Sequence, residues 1–455
     1  MNILTHFSEF SKVLTKPTYQ NLCVLFRGAI LSSGPRTTTE CLRNAWPWVK
    51  RHFSSYENVL RRSVMNKRKM ARILFKMVLR LVEKNAVIEL IVDETVVRRY
   101  GPYVYGVSMH RDGVLSSRSN HRMTPGNMWV VMAIAVKLPF LENVVALPIL
   151  SSLYVSEKQG KCKRPGTQDR KHRTPSELAK LMILTVFRWI PDRRFRLIGD
   201  AWYATHLLAD LLNDKSSGCP NGTLVSRFKW NARLHAEPGE YSGFGRPRII
   251  GERLLNPEQM IAAEDANWVT TDVAWYGGKQ RSFMLLSGTG LWYRCSQGAT
   301  WVRWVAVRDP DKKRKDEIFF TTDRTLSPAG IVECYVRRWS IEVTFEEARR
   351  HLGIETLRNR THNAIQRSVP MLFSLYSLIV TWFALFKNGN GDYINRTPWY
   401  KKTHITFSDM HKAARFDILS ELVSLQDGKS MPEFKVASLT MNIIYSLKKE
   451  KQKSA

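Results

Sequence analysis

The chain has 455 residues, 44% of them hydrophobic, with 70 Lys and Arg against 40 Asp and Glu and a formal net charge of +30. The hydrophobic share excludes a disordered chain, and the length allows two or three domains. The cationic excess, with a pI near 10, calls for a polyanion, nucleic acid first and an anionic membrane surface second.

In chain order, residues 1–85 have helical patterning. The start, MNILTHFSEFSK, lacks a basic segment followed by an apolar run, so no signal peptide is expected. TTTECLRNAW opens a helix capped by Thr37 or Thr38, with Glu40 in its first turn. NKRKMARILFKMVLRLVEK adds a basic, amphipathic helix. This N-terminal domain either docks DNA or supports the domain after it.

From residue 86 the pattern turns to strands. AVIELIVDETVV carries Asp93 in an apolar run, where a carboxylate costs free energy unless something positive meets it. That is how a metal-binding acid looks in sequence. Glu94 points to the opposite face of a regular strand, so Asp93 is preferred. Next is a basic loop with His110, Arg111, Arg118, His121 and Arg122, open to phosphate contact or to plain solvation. Residues 128–136 and 143–155 are expected to form an antiparallel pair. After a basic linker comes a helix at TPSELAKLMILTVFRWI, then a strand, FRLIGDAWY, holding Asp200 near its end, then a short helix at ATHLLADLLND. The carboxyl ends of strands are where open α/β sheets build sites, although Asp is also a favoured helix cap.

Residues 222–316 hold four strand-like runs rich in Trp, expected as a β-rich insertion. Most of Trp268, Trp275, Trp292, Trp301 and Trp304 are expected in packing, with stacking on an unpaired base the sharper alternative. The core resumes at 317 and runs to 387. Its main feature is one expected helix from Ser327 to Gly353, capped by Ser327, opened by Pro328 and ended by Gly353. Tyr335, Arg338, Glu342 and Arg349 share one stripe of that helix. A carboxylate, guanidinium and phenol on one line can hold a metal ion and the phosphates beside it, though an Arg338–Glu342 surface ion pair reads equally well from the helix alone. The longest apolar run, Met371–Phe386, is shorter than the roughly 20 residues of a bilayer span and is expected as a buried helix. Residues 388–455 are expected to be a basic accessory region with a disordered tail. Six cysteines in no metal-ligand spacing suit free thiols in a reducing compartment. A cytoplasmic, nucleoid-associated protein is therefore expected.

Two strand-borne aspartates and a helix-borne glutamate can hold two divalent ions, and with this net charge the natural substrate is a DNA phosphodiester. Here the sequence resembles the DDE-type insertion-sequence transposases. The helix carries the spaced Y-R-E-K signature of one large group as Tyr335, Arg338 and Glu342, with Arg349 where that group usually has Lys. VDETVV and IGDAWYAT are similar to the contexts of the group's two aspartates. The resemblance covers about residues 86–387. It implies an α/β fold, a ribonuclease-H-like mixed sheet with flanking helices, split as 86–221 and 317–387 around the insertion. It implies that Asp93, Asp200 and Glu342 bind Mg²⁺ or Mn²⁺, as two ions, and that Tyr335, Arg338 and Arg349 contact DNA. Arg for Lys keeps the charge at Arg349 but changes the hydrogen-bond geometry. Glu346 is the rival third acid. The partners implied are double-stranded DNA, at element ends and target, and further copies of the chain in a dimer or higher assembly. A nuclease with the same core and a non-catalytic DNA-binding descendant are the alternative functions.

Overall fold

The computed structural model describes residues 2–425 apart from 113–114, 118, 158–171, 214–217, 242, 244, 388–392, 395–397 and 400, with side chains described to 421. Arg118, most of the basic linker and the expected disordered tail therefore lie outside the described residues. The chain divides into two compact units. One comprises residues 1–81, 139–141 and 347–455; the other comprises 82–138 and 142–346.

The first unit is helical: α1 (Ile3–His6), α2 (Lys16–Leu31), α3 (Thr38–Asn44), α4 (Phe53–Arg61) and α5 (Lys67–Leu79) come from the N-terminal part. Thr37 caps α3 by accepting from the Glu40 amide. Helices α2 and α3 approach closely at Gly28, where a Cβ would lie 2.1 Å from the Cys41 carbonyl oxygen.

The second unit holds an 11-stranded sheet. β1 (Ile88–Arg98), β2 (Ser108–Arg111), β3 (Met123–Val136) and β4 (Val145–Leu153) come first, and β2 is a strand inside the segment expected as a loop. β3 is antiparallel to β1 on one side and to β2 and β4 on the other. Helix α6 (Pro175–Trp189) then crosses over to β5 (Phe195–Gly199), parallel to β1. The start of α6 is fixed by a capping box in which Thr174 and Glu177 satisfy each other's amides. Helix α7 (His206–Leu211) leads to β6 (Gly222–Arg227), parallel to β5. An antiparallel meander of β1, β3 and β4 continued by parallel β5 and β6 is the ribonuclease-H-like arrangement expected.

The strands expected as an insertion do not form a sheet of their own. β7 (Leu234–His235), β8 (Val269–Ala274), β9 (Gln280–Arg294) and β10 (Gly298–Arg308), with the short helix α8 (Pro257–Ala262), precede β11 (Glu317–Thr321), which pairs with β6. β10 pairs with β11 and β9 with β10, so they extend the same hydrogen-bonded surface. The unpaired edge of β6 is thereby covered, which removes an aggregation-prone template.

The expected single helix is two: α9 (Pro328–Arg337) and α10 (Trp339–Leu352). Ser327 caps α9 and Gly353, at φ +56°, comes directly after α10, as the sequence predicts at both ends. Between them the Arg338 amide bonds back to Tyr335, and Ile341 to Arg338, so the ladder tightens to three-residue steps there. The last two helices belong to the first unit: α11 (His362–Phe386) and α12 (Phe407–Leu425). At 25 residues, α11 is longer than the apolar run alone suggested. It is long and apolar enough to cross a membrane, yet most of its apolar window is buried, as in a core helix.

Candidate active site at the carboxyl ends of β1 and β5

The parallel pairing of β1 with β5 ends at Val92 opposite Gly199. The next residues are Asp93 and Asp200, so register alone brings the two aspartates to one level. β5 then stops, and the chain enters a 3-10 turn at Ala201–Tyr203 while β1 runs on to Arg98. That leaves one side of β1 open from Asp93 onward.

Asp200 takes the capping role that the sequence left open. Its Oδ1 caps the turn by accepting from the Trp202 amide at 2.9 Å. Its carboxylate also joins a cluster in which one oxygen each of Asp93, Glu94 and Asp200 lies within 4.8 Å of the others. Glu94 is the correction here. Strand alternation sets it on the far face from Asp93, but its carboxylate reaches the same cluster. Two things bring it there. The Asp93 side chain folds back along the strand, Oδ1 accepting from the Glu94 amide at 2.9 Å. The longer Glu94 side chain is held by the Tyr203 hydroxyl, which donates to Oε2 at 3.0 Å. Tyr203 is fully buried and packs where Gly199 lacks a side chain; a Cβ on Gly199 would meet the Tyr203 Cβ at 2.8 Å.

The break at Arg338 supplies the cation. Its Nη1 donates to Asp93 Oδ2 at 2.7 Å and its Nη2 to Glu342 Oε1 at 2.6 Å. The Arg338–Glu342 pair is therefore not an isolated surface ion pair, since the same guanidinium bridges to a buried aspartate. Glu346, one turn on, is exposed. Tyr335 is 4% exposed and packs against Phe319, and the Arg338 guanidinium lies 5.6 Å from its ring centre. Arg349 lies in the first unit, where its Nε donates to Glu355 at 3.2 Å.

Electrostatically the cluster holds more anions than one guanidinium can balance. Burial pushes Asp93 up to about 8; Arg338 pulls it down, while Glu94, Asp200 and Glu342 push it further up. Burial and then Asp200 push Glu94 up to about 7, against the Tyr203 hydrogen bond. Burial, and then Glu94, raise Tyr203 well above the usual phenol range, so it is a donor at neutral pH. Like charges this close ionise together only when a cation joins them. An all-carboxylate oxygen set suits a hard divalent ion, and oxygens this near one another need only small adjustment to share one. The donor set thus fits a hard divalent cation.

Two exposed tryptophans adjoin the acids: Trp202, 57% exposed, two residues after Asp200, and Trp339, 51% exposed, next to Arg338. Trp339 meets Tyr276 edge-on at 6.0 Å. The sequence pointed to the insertion for stacking residues instead. Trp275, Trp292 and Trp304 are buried there, in the packing role expected, and Trp268 lies under the Arg308 guanidinium at 4.1 Å.

A family model described as DDE superfamily endonuclease matches residues 9–282. This chain belongs to the DDE superfamily endonucleases. The match takes in Asp93, Glu94 and Asp200 and ends before Glu342. No curated protein matches the chain. Membership of this family makes DNA the substrate class and a divalent-metal nuclease or transposase chemistry the general activity, on the ribonuclease-H-like sheet described above.

Proposed function

We propose that this DDE endonuclease is a transposase. It binds the ends of its own mobile element, cleaves them, and joins the freed 3′-hydroxyl to target DNA. The observation that supports the reading is that Asp93 shares a carboxylate cluster with Asp200 and Glu94 and shares the Arg338 guanidinium with Glu342, at the open end of β1 and β5, in a chain of net charge +30. Mg²⁺ or Mn²⁺ held by these carboxylates, as one ion or two, supplies Lewis-acid stabilisation of charge on the scissile phosphate.

The chain's own residues do the rest by position and charge. Asp93 and Glu342 hold the Arg338 guanidinium at the edge of the acid cluster, where it can take a phosphate oxygen. Tyr335, buried beneath it, bears on that phosphate by backing Arg338. Arg349 is assigned a phosphate contact on the helix motif. Asp200 keeps its carboxylate in place by capping the turn. Strand transfer requires two element ends together, so the working form is a dimer or higher assembly on DNA. The N-terminal helices, basic in α5, are the proposed element-end reader.

The test is a supercoiled plasmid carrying the element's ends, incubated with the full-length protein in Mg²⁺ or Mn²⁺ and in EDTA. Metal-dependent joined products are expected. Nicks without joining would move the reading to a plain nuclease on the same core. Salt-sensitive end binding with no cleavage in any metal would make it a non-catalytic DNA-binding protein.

A further inference from the structure

We infer that the loop between β10 and β11, residues 309–316, is a phosphate clamp that holds the DNA strand leading to the acid cluster, through Lys312, Arg314 and Lys315. This rests on DNA as the substrate class and stands whether or not joining follows cleavage.

The loop reads DPDKKRKD, and its charges sort into two groups. Every acid in it or beside it already has a basic partner. Arg281 Nη2 donates to both oxygens of Asp309, at 2.8 and 2.9 Å, and Arg308 donates twice to Asp316, at 2.8 and 2.9 Å. Asp311 pairs with Lys313 at 3.1 Å, and Glu317 pairs with Arg227. Among the described residues, Lys312, Arg314 and Lys315 are left without an acid partner, and all three are exposed. A charge run is commonly a solvated face, but this one is a built turn. Asp309, buried at 3% exposure, also accepts from the Asp311 amide at 3.1 Å, and the Lys312 amide bonds back to the Asp309 carbonyl at 3.0 Å. Lys312 stands at φ +55°, a left-handed conformation that costs free energy for a residue with a Cβ and persists only where the surroundings fix it.

Aromatic contacts tie the loop to the acids. The Arg314 guanidinium lies 5.4 Å from the Trp275 ring centre and 6.0 Å from that of Tyr276. Tyr276 in turn meets Trp339, the neighbour of Arg338, edge-on at 6.0 Å. Burial raises the Tyr276 phenol, Arg338 pulls it down and Glu342 pushes it up, so the ring is within electrostatic reach of both. A cluster with excess negative charge repels a polyanion, and a strand is held beside it only where cations flank it. Arg338 is already shared between Asp93 and Glu342. Lys312, Arg314 and Lys315 supply the uncommitted charge.

The experiment is binding of the full-length protein to a mixed-sequence duplex of roughly 30 base pairs, in EDTA so that the DNA is not cut, from about 50 to about 200 mM NaCl. Wild type is compared with Lys312→Asn, Arg314→Gln, Lys315→Gln and the triple variant, with a melting curve for each. Asn is chosen at 312 because it tolerates the left-handed backbone. Each single variant is expected to lower the slope of log affinity against log salt by about 1, and the triple variant by about 2–3. A second arm uses element-end duplexes with uncharged methylphosphonates at the phosphates flanking the cleavage point. These are expected to weaken binding by wild type and to leave the triple variant unaffected. A triple variant that melts normally and keeps the wild-type slope overturns the inference, as does a methylphosphonate penalty equal in both proteins. If the triple variant does not fold, wild-type slopes in all three single variants overturn it. Each of these results leaves the DNA-cleaving reading intact. A wild type that binds no duplex at the lowest salt overturns both.

Discussion

The two ends of the β1–β5 strand pair carry charged clusters of opposite character. At the amino-terminal end Glu89 pairs in register with Arg196. Arg196 donates to Asp323 at 2.7 Å and lies 3.5 Å from Glu89, and Arg337 grips Glu89 through two bonds of 2.6 and 2.7 Å. Arg194 also comes within 4.0 Å of Asp323, so the cations here at least match the two anions. Burial raises Asp323, but hydrogen bonds from Arg196 and Thr325 outweigh it and hold the carboxyl below its usual range. At the carboxyl end, Asp93 and Glu342 share the Arg338 guanidinium while Glu94 and Asp200 crowd Asp93, and Asp93 and Glu94 are pushed up instead. Adjacent arginines serve the two ends, Arg337 the balanced one and Arg338 the unbalanced one. A balanced buried network locks strands to a helix. An unbalanced one on the same strands is a site built to receive positive charge.

Alanine substitutions at the unbalanced end test this contrast most sharply. Asp200→Ala, Asp93→Ala and Glu342→Ala are each expected to drop cleavage of element-end DNA to background with DNA binding retained, and Glu346→Ala to cleave normally. A Glu342→Ala protein that still cuts would move the third acid to Glu346. At the balanced end the expected loss is in stability. Arg196→Met takes the buried cation away from Asp323 while Glu89 keeps Arg337, and should cost about 3–5 kcal/mol in denaturant unfolding, with Mn²⁺ affinity unchanged.

A smaller effect separates the two ends by pH. Asp93 and Glu94 have folded-state values raised above their unfolded ones, so between about 4 and about 8 the folded chain binds more protons than the unfolded chain. Metal-free stability is therefore expected to fall as pH rises through that window. Mg²⁺ should restore it most at the upper end, because the ion competes with protons for the carboxylates. Melting curves in EDTA and in Mg²⁺, taken across that window, measure this. A flat EDTA profile would mean that the acids are already neutralised. The Asp323 end contributes the opposite sign, lost only as pH falls below the ordinary carboxylate range.

Much of this architecture is set by local sequence. Thr37, Thr174 and Ser327 cap the helices their positions predict, because capping needs only a side chain and an amide a few residues away. The apolar runs around Asp93 and Asp200 become β1 and β5, because an uninterrupted hydrophobic strand suits a sheet covered on both faces. The register of a strand pair, the tightening of the helix at Arg338 and the joining of β7–β10 to the core sheet depend on partners distant in sequence, and only the tertiary structure decided them. The same holds for Glu94. A period-two rule assigns it to the wrong face, because that rule tracks the backbone and not the reach of a side chain bonded to Tyr203. The sequence alone determined which acids the chain offers; the fold decided how they are grouped, since that depends on Arg338 and Tyr203 arriving from elsewhere in the chain.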